Sequence, residues 1–235
     1  MGFQLSNVIP WGRSFEDYLE MFALTPEELT LSILDCAGGP ASFNCEMKRR
    51  GYQVISCDPV YQFSADEIER RIQATYSTVI DQLHQNKDDY VWENVQSPED
   101  LGQLRMAAMQ QFLEDFIQGK EQGRYLTAEL PKLPFNYKQF DLALCSHLLF
   151  TYSQHLSLEF HLESVLELCR VAAEVRIFPL LDLAGNLSPY LTPVISTLQQ
   201  QGWMVQIEAV SYEFQKGGNQ MLRLFKPAII SCPDN

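Results

Sequence analysis

Apolar positions in this chain follow two periods that take turns along its length. Leu31-Ser32-Ile33-Leu34 is a short continuous apolar run, which reads as a buried strand. It enters a turn of small residues. Beyond the turn, residues 42–50 carry Phe43 and Met47 on one helical face, with Gly51 placed to end the helix. Residues 53–57 are apolar again and stop at Asp58-Pro59. A strand, a turn, a helix and a second strand in that order build a parallel sheet. Upstream, Ser14 and Asp17 cap a helix bearing Tyr18, Leu19, Met21 and Phe22, and Thr25-Pro26-Glu27-Glu28 opens a second short one.

Residues 62–123 depart from this alternation. Ser64 and Glu67 form a capping box before Ile68, Ile72, Tyr76, Val79 and Leu83 at helical spacing. Ser97-Pro98 opens another helix with Leu101, Leu104, Ala108, Phe112 and Phe116 along one face, and the polar stretch 85–96 reads as a loop. The region lacks strands, so it reads as a helical insertion or lid and not as a domain. Strands resume at 125–129 and 140–145, followed by a helix marked by Leu158, Leu162, Val165, Leu166 and Cys169. A strand at 175–181 contains Pro179, and Ser188-Pro189 caps a helix carrying Leu191, Val194, Ile195 and Leu198. Residues 204–212 and 221–225 are the last strands, expected to pair antiparallel. The pattern predicts one α/β domain over residues 1–235, with N-terminal helices in 1–30. Its core is a doubly wound, mostly parallel seven-stranded sheet with a C-terminal antiparallel hairpin and a helical insertion between the second and third strands.

Composition narrows the function. At 235 residues, 46% hydrophobic and 20% charged, the chain can bury one sizeable core. No apolar run reaches the ~20 residues needed to span a bilayer, and residues 1–10 lack a basic start and a long apolar segment, so a cytoplasmic location is expected. The net charge of −13 argues against nucleic acid as the main partner and tilts towards small or cationic substrates. Cys36, Cys45, Cys57, Cys145, Cys169 and Cys232 form no C-x-x-C pair and behave as buried apolar residues. His147, His155, His161 and Cys145 match no familiar metal spacing, so no metal is expected.

In an open parallel sheet, ligands bind beyond the carboxyl ends of the strands. The first such end is Asp35-Cys36-Ala37-Gly38-Gly39-Pro40-Ala41, where small residues permit close backbone approach. Asp58 follows the second strand, 23 residues on, where an acid can accept both hydroxyls of a ribose.

Over residues 31–226 the sequence resembles the class I S-adenosylmethionine-dependent methyltransferases. Their first motif, an acid and then small residues at alternate positions, falls on Asp35, Ala37, Gly39 and Ala41, with only the middle small residue a glycine. Their ribose acid falls on Asp58. Their third motif matches Glu129, Leu133-Pro134-Phe135 and Phe140-Asp141-Leu142, and their segment beside the methionine matches Ser146-His147-Leu148-Leu149. Pro10-Trp11-Gly12-Arg13-Ser14 and Phe63-Ser64-Ala65-Asp66-Glu67 resemble an uncharacterised bacterial branch of that family.

The resemblance implies S-adenosylmethionine held by Asp35, Ala37, Gly38, Gly39, Asp58, Pro59, Glu129, Leu130 and Ser146, and methyl transfer to a small molecule. His147 is the candidate base, or alternatively a structural cap of the next segment. Trp11, Arg13, Tyr61 and Tyr152 are candidates for the substrate face, with Arg13 able to pair with the methionine carboxylate and the rings able to attract a cation. The rival readings are a nicotinamide-dependent oxidoreductase, which calls for a fuller G-x-G-x-x-G turn and no closing hairpin, and a non-catalytic S-adenosylmethionine-binding protein.

Overall fold

The structure is a computed structural model and describes residues 9–226. Cys232 and residues 1–8 lie outside the described residues.

The strands are β1 (Ile33–Cys36), β2 (Val54–Cys57), β3 (Tyr125–Leu126), β4 (Phe140–Ser146), β5 (Ala172–Phe178), β6 (Met204–Ala209) and β7 (Gln220–Phe225). They form one seven-stranded sheet in the order β3-β2-β1-β4-β5-β7-β6. The pairs from β3 to β5 are parallel, and β7 runs antiparallel to both β5 and β6. The chain starts at the centre, winds outward one way and returns to wind the other. The reversal falls between β1 and β4, the place where such sheets open a crevice.

Two-residue alternation gives each strand one row per face. Leu34, Cys36, Ala143, Cys145, Val175, Ile177, Leu222 and Leu224 pack with α5 (Leu158–Val171) and α6 (Leu191–Gln200). On the opposite face, Ile33, Val54, Leu142, Leu144 and Met221 pack with α1 (Phe15–Met21) and α2 (Phe43–Arg49). Aromatic stacking seals that side: Tyr18 lies 4.3 Å from Phe43, ring centre to ring centre. Burying an aromatic or large aliphatic side chain contributes ~1.5–3 kcal/mol, so these two layers supply most of the driving force for the fold.

The helices between β2 and β3 play two parts. α4 (Pro98–Glu121) packs on α2 and β3 through Phe112, Phe116 and Tyr125, as a crossover helix does. α3 (Ala65–Gln85) lies against α4, and its Val79, Ile80 and Leu83 join Tyr90 and Leu101 in a separate cluster. The segment after α3 is fastened to the β6–β7 connection. Tyr90 bridges Gln215, the Val91 N–H donates to the Phe214 carbonyl at 2.8 Å, and the Lys216 N–H donates to that of Asp89 at 3.0 Å. These bonds roof the carboxyl ends of the strands.

Both capping boxes read from sequence form, at Ser14–Asp17 and Ser64–Glu67. Several boundaries differ from the pattern. The third strand ends at Leu126 and not at 129, because the chain turns into an isolated bridge between Glu129 and Lys132. The short helix expected at 25–28 is a 3-10 turn over Glu28–Thr30. The fifth strand is shifted upstream to Ala172–Phe178, since Pro179 cannot donate to the ladder. The sixth ends at Ala209, leaving 210–219 as a connection longer than a tight turn. Ser188 does not cap α6 directly: its Oγ accepts the Tyr190 N–H, and the helix begins at Leu191.

Candidate functional site

A cavity of about 750 Å³ opens above the carboxyl ends of the central strands, beneath α3 and the β6–β7 connection. Residues 36–40, 58–60, 128–130 and 146–148 line one part of it. Its size is in the upper part of the ~300–1,000 Å³ range of ligand sites.

The turn after β1 is held from below. The Ala37 N–H donates to the Cys57 carbonyl at 2.8 Å. Ala37 and Gly39 both take the left-handed conformation, with φ of 59° and 53°. Gly38 is constrained differently: a Cβ there would stand 2.2 Å from Asp35 Oδ2. The small residues are thus required by the turn's own packing, which in turn exposes its backbone to the cavity.

Asp35 itself does not line the cavity. It is 1% exposed, on the α1/α2 face, where Oδ1 accepts from the Tyr18 hydroxyl at 2.9 Å and Oδ2 from Ser56 Oγ at 2.8 Å. Burial raises its carboxyl to about 6, against the pull of those two donors. It is the post on which the turn rests.

Asp58 does face the cavity. Its Oδ2 accepts the Gly39 N–H at 3.0 Å and its Oδ1 the Val60 N–H at 2.8 Å. Burial raises this carboxyl to about 6 as well, the two N–H donors opposing the shift. Each oxygen has further lone-pair capacity, so a vicinal diol can still be accepted. Pro59, Glu129 and Leu130 also line this part, Leu130 buried and Glu129 exposed at the rim.

Ser146 and His147 close the other side. His147 is left-handed, with φ of 53°, an uncommon and strained conformation for a non-glycine residue. Its N–H donates to the Phe178 carbonyl at 2.7 Å, and its Nδ1 lies 2.8 Å from Ser146 Oγ. Burial, with the Arg13 and Arg105 guanidinium groups nearby, pushes the imidazole well below the usual histidine range, so it is neutral at pH 7.

Trp11, Arg13 and Tyr152 line the cavity; Tyr61 does not. Tyr61 is packed among Phe112, Phe116 and Tyr125, and its hydroxyl donates to the Gly39 carbonyl at 2.7 Å, so it braces the turn from behind. Arg13 donates to the Trp11 carbonyl at 2.5 Å, yet its Nε is buried without a partner. Such an orphaned guanidinium edge beside the turn suits a ligand carboxylate. The residues present therefore fit an adenosyl amino acid: a diol acceptor at Asp58, open backbone at 37–39 and a carboxylate partner at Arg13.

Sequence reasoning missed the roof. Arg71, Thr75, Tyr212, Phe214 and Gln215 also line the cavity. Arg71 lies beside the apolar stripe of α3 and is exposed, so periodicity assigns it to solvent, and Thr75 is a polar residue within the stripe. Arg105 is also buried, held by Asp17 and by the Tyr212 hydroxyl at 2.8 Å; its position on the apolar face of α4 is the signal that could have found it. His161 is structural: its Nε2 accepts the Phe150 N–H at 3.0 Å, and its Nδ1 faces the Ser157 carbonyl. Among the described residues, no group of His, Cys, Asp or Glu converges to hold a metal.

In comparisons with known proteins, no family model matches the chain. A protein of Methanocaldococcus jannaschii, described as uncharacterized protein MJ0045, is 32% identical over 219 residues, covering 93% of this chain and 96% of its own. Among solved structures, the mitomycin 7-O-methyltransferase MmcR matches 91% of this chain and 54% of its own at 9% identity, with a TM-score of 0.50. The magnesium protoporphyrin IX methyltransferase of Synechocystis PCC 6803, solved with bound SAM, matches 84% of this chain and 70% of its own at 12% identity, with a TM-score of 0.44.

Proposed function

The chain belongs to the same family as the Methanocaldococcus jannaschii protein MJ0045 and carries the class I methyltransferase fold, and from that premise we propose that it binds S-adenosylmethionine and methylates a small molecule. The observation that carries this reading is the pairing of Asp58 with the turn at 37–39, an open diol acceptor bonded directly to the backbone that would cradle the cofactor. The antiparallel β7 between β5 and β6 favours it over a nicotinamide oxidoreductase, whose sheet runs 3-2-1-4-5-6.

When bound, S-adenosylmethionine supplies an activated methyl whose C–S bond electrons leave on sulfur. The protein's part is alignment and proton removal. Asp58 would accept from the ribose hydroxyls, Arg13 would donate to the carboxylate, and residues 37–39 would carry the methionine, while Leu130 and the exposed Glu129 would flank the adenine. Orientation of this kind can contribute ~7–11 kcal/mol to the barrier. Ser146 Oγ can donate to Met21 Sδ at 4.0 Å while accepting from His147. We therefore assign the His147 proton to Nδ1, which leaves the Nε2 lone pair free to take a proton from an acceptor O–H or N–H.

Calorimetric titration tests the cofactor. S-adenosylhomocysteine should bind with one-to-one stoichiometry and NAD should not; tight NAD binding without S-adenosylhomocysteine binding would overturn the reading. A labelled-methyl screen of small acceptors then separates an enzyme from a non-catalytic binder.

A further inference from the structure

The charges along the cavity wall say what kind of acceptor it takes, provided the methyltransferase reading holds. Seven of the ten arginines form ion pairs. Arg70 donates to the Asp66 carbonyl. The two arginines that line the cavity, Arg13 and Arg71, form no ion pair among the described residues. The chain carries 30 acidic and 17 basic side chains, so a guanidinium group left without a carboxylate does not reflect a shortage of acids.

Arg13 serves the cofactor's carboxylate, and Arg71 is left over. It is exposed and projects from α3 with its guanidinium 3.8 Å above the Phe63 ring, and Phe63 also lines the cavity. Stacking fixes the guanidinium plane and leaves its N–H edge free to fork onto an oxyanion. Glu67, one turn earlier on the helix, bonds the Ser64 N–H and Oγ through Oε2 and forms no ion pair with Arg71, although the Arg71 charge helps hold its carboxyl below the usual range. Among the described residues, the carboxylates in the cavity wall are Asp58 and Glu129, at the proposed adenosine end. Elsewhere the wall is Trp11, Tyr152, Phe160, Phe178 and Phe214, with the neutral His147.

A cationic acceptor would meet rings there but no counter-charge. An anion would meet Arg71. Because the whole chain carries −13, it repels anions at long range, and a local cation at the site is what would admit one. We propose that the methyl acceptor is a compact aromatic oxyanion, its flat body against Trp11, Tyr152 and Phe214 and its carboxylate or phosphate held by Arg71. This reverses the tilt towards cationic substrates that net charge alone suggests.

The test is competition among matched probes, read by tryptophan fluorescence on the protein saturated with S-adenosylhomocysteine. The probes are 3-hydroxy-2-naphthoate, 2-naphthyl phosphate, 3-hydroxy-2-naphthamide and 2-naphthylmethylamine. One of the two anions should bind, tighter than the amide and the amine, and which one wins distinguishes a carboxylate acceptor from a phosphate ester. Arg71→Gln should weaken that anion ~10-fold, the strength of one charge-assisted contact, and Arg71→Glu should shift preference to the amine. S-adenosylhomocysteine affinity should stay level in both variants. Equal binding of anion and amide, indifference to Arg71, or no probe binding at all would overturn the proposal while the cofactor reading stands. Failure of S-adenosylhomocysteine itself to bind would remove both.

Discussion

The two ends of the cavity are built from opposite materials. At the end proposed for the cofactor the wall is small residues, backbone N–H groups and Asp58, backed by the buried Asp35, and both carboxyls are raised to about 6. Over the rest of the cavity it is aromatic rings and a strained neutral histidine, with an exposed arginine that forms no ion pair. On the proposed reading, the first end would recognise what every substrate pair shares, a nucleoside and an amino acid. The second carries whatever is specific to this chain. Even the two acids divide the labour: Asp35 is sealed behind the turn, and Asp58 faces the cavity.

The largest expected effect is at the acceptor end. With an acceptor whose O–H or N–H must lose its proton, His147→Ala should lower kcat ~10²–10⁴-fold while S-adenosylhomocysteine affinity holds within a few fold. An unchanged kcat would mean that the left-handed His147 serves only the backbone bond to Phe178. Next comes the cofactor end. Asp58→Ala should weaken S-adenosylhomocysteine by ~2–4 kcal/mol, since bonds to an ionised acceptor are worth ~1.5–3 kcal/mol each. The same change strips the Gly39 and Val60 N–H groups of their partner, so some thermal stability should go with it. A loss of stability with full cofactor affinity would reduce Asp58 to a cap.

The two ends also differ in how far the sequence discloses them. The turn at 35–41 and the acid at 58 are legible because their geometry is local: a strand, a tight turn and a second strand must bring them together. The sheet, with its closing hairpin, was legible for the same reason. Which side of the turn Asp35 occupies was not, since that depends on Tyr18 arriving from α1, 17 positions away. Tyr61 shows the converse. It follows the ribose acid closely, yet α4 encloses it in an aromatic cluster. Arg71 and Phe214 were invisible because only the tie between 88–91 and 214–216 brings α3 and the last connection over the same cavity.

Asp35→Asn puts a smaller number on that division. The amide offers a donor where Tyr18 or Ser56 now donates, so one buried hydrogen bond becomes a donor–donor contact. Chemical denaturation should show a loss of about 1–2 kcal/mol, lessened because a buried charge is removed too. Cofactor affinity should move by less than threefold, a bound set by the absence of any direct contact. A large drop in affinity at unchanged stability would place Asp35 in the ligand's shell after all.

The smallest effect is the most discriminating, because one titration pulls the two acids in opposite directions. Both carboxyls stand at about 6 in the fold against the ordinary aspartate value of 3.8. Between those values the folded chain holds more protons than the unfolded one, so stability falls as pH rises through the window and is regained on going from pH 7 to pH 5. His147 works the other way below its unfolded value of 6.5, so the gain attributable to Asp35 is the wild-type profile minus that of Asp35→Asn. On the proposed reading cofactor binding needs Asp58 ionised, and a group titrating at about 6 loses about tenfold of its ionised fraction over the same two pH units. S-adenosylhomocysteine affinity should therefore drop by about that factor in the wild type and stay level in Asp58→Asn. If affinity fell equally in both proteins, the proton would belong to another group, and the ribose assignment would lose its electrostatic support.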